Sequence, residues 1–71
     1  MMIKLTTIMG REPVYVDPFR IAAIEQEAGG EYNGKITPRC TRIVLNCGRL
    51  VIVEQETEEV YMLMQAAKRR V

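Results

Sequence analysis

The 71-residue chain contains no histidine, no serine and no tryptophan, and it has only two cysteines. The absence of histidine removes the commonest general base of enzymes and the commonest ligand of transition metals. Cys40 and Cys47 do not have the spacing of a metal site, and an extended strand holds them too far apart for a disulfide. We therefore predict that the protein is not an enzyme and has no metal or other cofactor.

Long apolar runs are also absent, so the sequence predicts no membrane insertion and a cytoplasmic protein. Residues 1–71 are expected to form a single small domain. A chain this short buries a modest fraction of its surface, and its hydrophobic core is marginal without further support. Since disulfides and metals are not expected to supply that support, we predict a homodimer or a higher oligomer.

Charge is distributed unevenly, although the net charge is only +1. Residues 28–49 are mostly basic, residues 50–67 carry only acidic charges, and residues 68–70 are all basic. This pattern is typical of electrostatic complementarity between subunits, or of a loop that attracts anions.

Apolar alternation and turn residues predict a β-rich α+β fold. Residues 2–8 and 14–16 favour strands, and residues 41–45 and 50–53 favour a hairpin around a turn that contains glycine. Thr57 is predicted to cap a C-terminal helix, and the carboxylates that follow it suit the positive end of the helix dipole. The apolar positions of this helix are Val60, Leu63, Met64 and Ala67, which repeat with helical spacing.

Residues 18–27 allow two interpretations. Asp17 and Pro18 could begin a helix, which the alanines, glutamates and glutamine that follow would favour. Alternatively, a tight turn at residues 18–20 leads into a strand at residues 21–27. Propensity alone favours the helix.

The segment of residues 28–40 contains Gly29, Gly34 and Lys35 with nearly the spacing of a phosphate-binding loop. Ile36 occupies the position of the magnesium-binding hydroxyl, and Pro38 opposes the helix that such a loop requires. We therefore interpret residues 28–40 as a loop or hairpin insertion with an Asn-Gly turn.

Two groups of residues are candidates for binding. One aromatic ring among several cations could stack on a base and pair with a phosphate, which makes the insertion a candidate site for a partner or ligand. Its residues are Tyr32, Lys35, Arg39 and Arg42. The second group consists of apolar residues of the last strand and of the helix, which we predict at an oligomer interface. They are Leu50, Ile52, Tyr61 and Met62.

Several segments resemble the small flagellar and swarming-motility proteins of the FlbD/SwrD type, whose relatives also occur in phages. The matching residues are Met2-Ile3-Lys4-Leu5-Thr6, Gly10, Val14-Tyr15-Val16-Asp17-Pro18, Ile21-Ala22-Ala23-Ile24-Glu25, Asn46, Gly48 and Glu58-Glu59-Val60. The resemblance implies that residues 21–27 form a strand, which we adopt. It therefore implies a small, five-stranded, mostly antiparallel sheet with one C-terminal helix.

The start of the chain, with Leu5-Thr6 and a glycine turn, and its last third also resemble carbon storage regulator proteins, which are small RNA-binding domain-swapped dimers. The matching residues are Val51, Val53, Glu58-Glu59-Val60-Tyr61 and Gln65-Ala66. That family has basic residues at two places that hold Thr7-Ile8 and Glu54-Gln55 here, and an acidic residue repels a phosphate backbone. This resemblance supports the architecture more than it supports RNA binding.

These observations predict a small, non-enzymatic, oligomeric binding or adaptor protein of the flagellar or phage accessory type. Its expected partners are itself and a host or flagellar protein. Two alternatives stay open. One is a phage anti-defence protein that sequesters a nucleotide signal in a pocket between subunits, and the other is an RNA-binding post-transcriptional regulator.

Overall fold

The fold is taken from a computed structural model, which describes residues 1–32, 34–37 and 39–70. Its described part contains seven strands and one α-helix. The strands are β1 (Ile3–Thr6), β2 (Pro13–Val16), β3 (Ile21–Glu27), β4 (Gly30–Tyr32), β5 (Lys35–Thr37), β6 (Cys40–Leu45) and β7 (Leu50–Val53), and helix α1 is Thr57–Lys68.

Five of these strands form the body of the domain in two antiparallel sheets, which confirms the predicted β-rich α+β class with one C-terminal helix. β1 pairs with β2, and β6 lies between β3 and β7. An antiparallel bridge between Thr7 and Val53 joins the two sheets. The Gln55 side chain strengthens this junction, because its Oε1 accepts a hydrogen bond from the Thr6 backbone N–H at 3.0 Å. Strands β4 and β5 pair with each other as a separate two-stranded unit.

The segment that allowed two interpretations forms a strand. A short 3-10 turn at Pro18–Arg20 precedes β3, and Asp17 Oδ1 accepts a hydrogen bond from the Phe19 backbone N–H at 2.9 Å. Ile21 and Ile24 both pack against the core, although strict alternation would place them on opposite faces. The register of β3 against β6 shifts between Ile21 and Ala23, and this bulge turns both isoleucines inward.

The core lies between helix α1 and the inward faces of the two sheets. Leu5, Ile43, Val53 and Val60 are fully buried there. Helix α1 contributes Val60, Met64 and Ala67, in agreement with the predicted apolar positions. Leu63 differs from the prediction, because 37% of its surface remains exposed at the edge of the helix.

The turn between β6 and β7 depends on a glycine. Gly48 has a φ of 92°, a left-handed conformation that residues with a Cβ rarely adopt. Its backbone N–H donates to the Leu45 carbonyl at 2.8 Å, and the Leu45 N–H donates to the Arg49 carbonyl at 2.9 Å. The predicted hairpin with a glycine-containing turn is confirmed.

Thr57 is not the N-cap, which corrects the prediction made for it. The N-cap residue is Glu56, whose side chain makes no capping hydrogen bond, and Thr57 is the first residue of α1. The Thr57 hydroxyl instead lies 3.2 Å from the Thr41 hydroxyl. Thr41 is fully buried, and its Oγ1 donates to the Gln55 carbonyl at 2.6 Å. The two threonines thus fix the start of the helix to the sheet.

We expect Thr41→Val to lower the free energy of unfolding by about 1–2 kcal/mol, because the Gln55 carbonyl loses its buried donor while the side-chain volume is kept. Urea denaturation followed by circular dichroism measures this loss. Thr7→Val is the matched control, because the hydrogen bond that the Thr7 hydroxyl accepts from the Glu12 N–H is exposed. Equal losses for the two variants would contradict the role assigned to Thr41.

Candidate interaction surface

Helix α1 presents an apolar strip to solvent beside the face that it buries. Burial of Val60, Met64 and Ala67 fixes the rotation of the helix about its axis. That rotation leaves Met62 69% exposed and Leu63 37% exposed, and Ala66, one turn further on, is also exposed. Water therefore contacts apolar side chains along successive turns of the helix.

The exposed strip continues onto the N-terminal residues of the chain. Two shallow depressions, of about 580 and 290 Å³, meet at Leu63 and Ala66. Met62 lines the first, and Met1 and Met2 line the second. Met1 is 67% exposed and Met2 is 54% exposed, so three flexible methionines border one surface.

Charged residues close this surface at its two ends. Glu58 and Glu59 line the depression at the N-terminal end of α1. Lys4 and Arg70 line the depression at the other end. The surface is therefore acidic at one end, apolar in the middle and basic at the other end. We call Glu59, Met62, Leu63, Ala66 and Arg70 the α1 stripe.

The four residues predicted at an oligomer interface lie on separate surfaces. Val51 and Val53 of β7 contact the core, and the alternation of a strand therefore turns Leu50 and Ile52 to the opposite face of the sheet. Helix α1 packs on the core side, so Met62 and Leu50 lie on different sides of the domain.

Tyr61 is 52% exposed but is not part of the α1 stripe. Successive residues of a helix are rotated by about 100°, which separates Tyr61 from Met62. Tyr61 lines neither of the two depressions beside the stripe. Of the four predicted interface residues, Met62 alone contributes to this surface.

The predicted cation cluster is not assembled by the described residues. Arg42 lies on the outward face of β6, where its guanidinium is 3.0 Å from Glu25 and 3.1 Å from Glu27. Arg39 lines a cleft of about 290 Å³ that Glu56 and Glu58 also line. The side chains of Tyr32 and Lys35 lie outside the described part of the chain. The nearby carboxylates make both arginine positions less favourable for an anion.

A further cleft of about 260 Å³ was not predicted from the sequence. Tyr15, Arg20 and Arg49 line it, above apolar side chains that include Val51. Arg20 is partly neutralised by Asp17, with 3.5 Å between the guanidinium Nε and the carboxylate Oδ2. The three polar residues come from β2, the 3-10 turn and the turn between β6 and β7, and the tertiary fold brings them together.

Both thiols are free, with Cys40 partly buried and Cys47 exposed. Among the residues that the structure describes, no three histidine, cysteine, aspartate or glutamate side chains are grouped so as to hold a metal ion. Within the same residues, no helix is both long enough and apolar enough to cross a membrane.

No protein-family model, curated protein or solved structure matches the chain.

Proposed function

We propose that the chain is a small, non-enzymatic, oligomeric binding protein that uses the α1 stripe and its flanking methionines to contact other protein chains. The observation that carries this proposal is the exposure of Met62, Leu63, Met1 and Met2 on one continuous surface. Exposed apolar surface that is contiguous and bordered by polar residues is typical of a protein interaction site.

The composition of the surface also suits binding. Methionine side chains are unbranched and polarizable, so they adapt to the shape of a partner. Leu63 and Ala66 belong to a regular helix whose adjacent face is held in the core, so the partner meets a rigid backbone that carries adaptable side chains. A rigid backbone lowers the entropy lost on binding.

The proposed biological setting is that of a cytoplasmic adaptor resembling FlbD-type flagellar factors or phage accessory factors. The matching segments Met2-Ile3-Lys4-Leu5-Thr6 and Glu58-Glu59-Val60 support this part of the proposal. Each segment has a residue at this surface, because Lys4 lines one of the two depressions and Glu59 belongs to the α1 stripe. The expected partners are therefore a second copy of the chain and a host or flagellar protein.

Sequestration of a nucleotide and regulation of RNA receive less support. Arg42 is paired with two carboxylates, and Arg39 lies beside two others. At the N-terminal end of the α1 stripe, Glu58 and Glu59 would repel a nucleic-acid backbone. The exposed apolar surface therefore favours a protein partner.

Sedimentation velocity of the purified chain from low micromolar to near-millimolar concentration tests the proposal. We expect the weight-average sedimentation coefficient to rise with concentration as oligomers form. Met9→Glu at the same concentrations should give the same rise. Like the stripe residues, Met9 is exposed, at 91%, but it lies in the turn between β1 and β2, outside the α1 stripe. A monomer at every concentration would contradict the oligomeric part of the proposal.

A further inference from the structure

We propose that the α1 stripe of one molecule binds the α1 stripe of a second copy of the same chain, with the two helices antiparallel. This inference rests on the proposed function and names the partner, the surface and the orientation. It follows from the order of charged and apolar residues along the helix and from the absence, within the described part of the chain, of an ion pair at either Glu59 or Arg70.

The residues of the α1 stripe form one face. Glu59, Met62, Leu63, Ala66 and Arg70 follow the spacing i, i+3, i+4, i+7 and i+11, which places them along one side of a helix. Helix α1 ends at Lys68, and Arg70 extends its last turn, with its backbone N–H donating to the Ala67 carbonyl at 3.3 Å. The stripe is thus a single surface with distinguishable ends.

The order of charges selects a second copy in the antiparallel orientation. A twofold axis near the middle of the stripe brings Glu59 of each molecule opposite Arg70 of the other. The same axis brings Leu63 opposite Ala66, so that a large apolar side chain meets a small one at both central positions. A parallel pair would place Glu59 beside Glu59 and Arg70 beside Arg70, and like charges at both ends would oppose it.

The two end charges are available for such contacts. Within the described part of the chain, Glu59 has no intramolecular ion pair, and Arg70 makes only a long hydrogen bond to the Met1 sulfur at 3.8 Å. Lys68, by contrast, lies 5.7 Å from the centre of the Phe19 ring. Arg42 is engaged with carboxylates on the sheet.

The size of the stripe sets the expected strength of the dimer. Helix α1 has 12 residues, which corresponds to a length of about 18 Å at 1.5 Å per residue. Even with Met1 and Met2 at its border, we expect the area buried on this short surface to fall below the about 800 Å² per partner of a standard stable interface. We therefore expect a reversible dimer with a dissociation constant in the micromolar range.

Charge reversal tests both the surface and the orientation. We expect Glu59→Arg and Arg70→Glu each to weaken self-association at least about tenfold, which corresponds to about 1.4 kcal/mol. An equimolar mixture of the two variants should regain the affinity of the wild type, because every end contact in the mixed dimer again joins opposite charges. The double variant Glu59→Arg/Arg70→Glu should also regain it.

Sedimentation velocity measures all four samples, and circular dichroism verifies that each variant is folded. Glu12→Arg and Arg49→Glu are the matched controls, because both residues are exposed and lie in turns outside the α1 stripe. Neither control should change self-association by more than about twofold, since exposed charges far apart are screened by salt.

The outcomes separate this inference from the proposed function. Dimers that are unaffected by either reversal would overturn the α1 pairing and leave an oligomeric binding protein. Variants that are weakened singly but not rescued by mixing would overturn the antiparallel orientation. A wild-type chain that stays monomeric would overturn both proposals.

Discussion

The variant Ile43→Ala is expected to lose about 2–5 kcal/mol of unfolding free energy, the usual cost of removing a buried branched aliphatic side chain from a core. Ile43 is fully buried on β6, the middle strand of its sheet, where it pairs with Ile24 on one side and Val51 on the other. A domain of this length has a total stability of only about 4–10 kcal/mol at typical values per residue. The variant should therefore be substantially unfolded well below the melting temperature of the wild type.

Urea denaturation of Ile43→Ala, Ile43→Val and Val44→Ala measures the effect. Ile43→Val removes one methyl group and should cost about 0.5–1.5 kcal/mol. Val44 is the control, since it is the next residue on the same strand and is only partly buried on the outward face. A loss for Ile43→Ala no larger than that for Val44→Ala would show that Ile43 is not at the centre of the core.

The variant Met62→Glu is expected to lower self-association by at least about tenfold, or about 1.4 kcal/mol. It places a carboxylate in the apolar middle of the α1 stripe, where dimerisation would remove that charge from water. It also extends the acidic end of the stripe, next to Glu58 and Glu59. Because Met62 is 69% exposed in the single chain, the fold should be retained.

Met9→Glu makes the same chemical change at a position that is 91% exposed and outside the stripe, and it should leave self-association unchanged. Sedimentation velocity compares the two variants with the wild type. Equal affinities for Met62→Glu and the wild type would exclude the α1 stripe as the interface. Equal losses in both variants would attribute the effect to net charge and not to the surface.

The fold class could be predicted from the sequence because most strands and the helix have simple patterns. Strand β3 did not. The spacing of Ile21 and Ile24 is that of a helix, and the alanines and glutamates around them also favour a helix. The bulge between Ile21 and Ala23 lets a strand present both isoleucines to the core. Pairing with β6 therefore outweighs the local preference for a helix. This pairing cannot be predicted from residues 21–27 alone.

The start of the helix shows a second limit of sequence patterns. Threonine is a common N-cap residue. The Thr57 hydroxyl instead contacts the buried hydroxyl of Thr41 on β6. Thr41 approaches Thr57 because β6 passes beneath the start of α1. This contact joins residues far apart in the sequence, and the local sequence of the helix contains no signal for it.

The cations near the predicted insertion show that a charge cluster in the sequence does not reveal which charges are paired in the fold. Arg42 lies opposite Glu25 in the antiparallel register of β3 and β6, and both side chains share the outward face. Glu27 completes the ion pairs on that face. The register thus gives Arg42 structural partners, which a reading of residues 28–49 alone does not reveal.

The structure places the predicted interface residues on more than one surface, and whether they bind a partner stays a prediction. Apolar residues outside the buried positions of α1 indicated an exposed strip, and Met62 belongs to it. Leu50 and Ile52 also lie outside the core, but β7 turns them to the far side of the sheet. The sequence could predict which side chains the core leaves out, whereas the packing of helix on sheet decides which of them share a surface.

The most direct test of the central claim is a dilution series of ¹H–¹⁵N correlation spectra of the uniformly labelled chain. If the α1 stripe binds a second copy, the amide signals of Met62, Leu63 and Ala66 should shift together with concentration and define one dissociation constant. The amide of Gly48, in the turn between β6 and β7, should not move. Concentration-dependent shifts confined to Leu50 and Ile52, or no shifts at any concentration, would contradict the account.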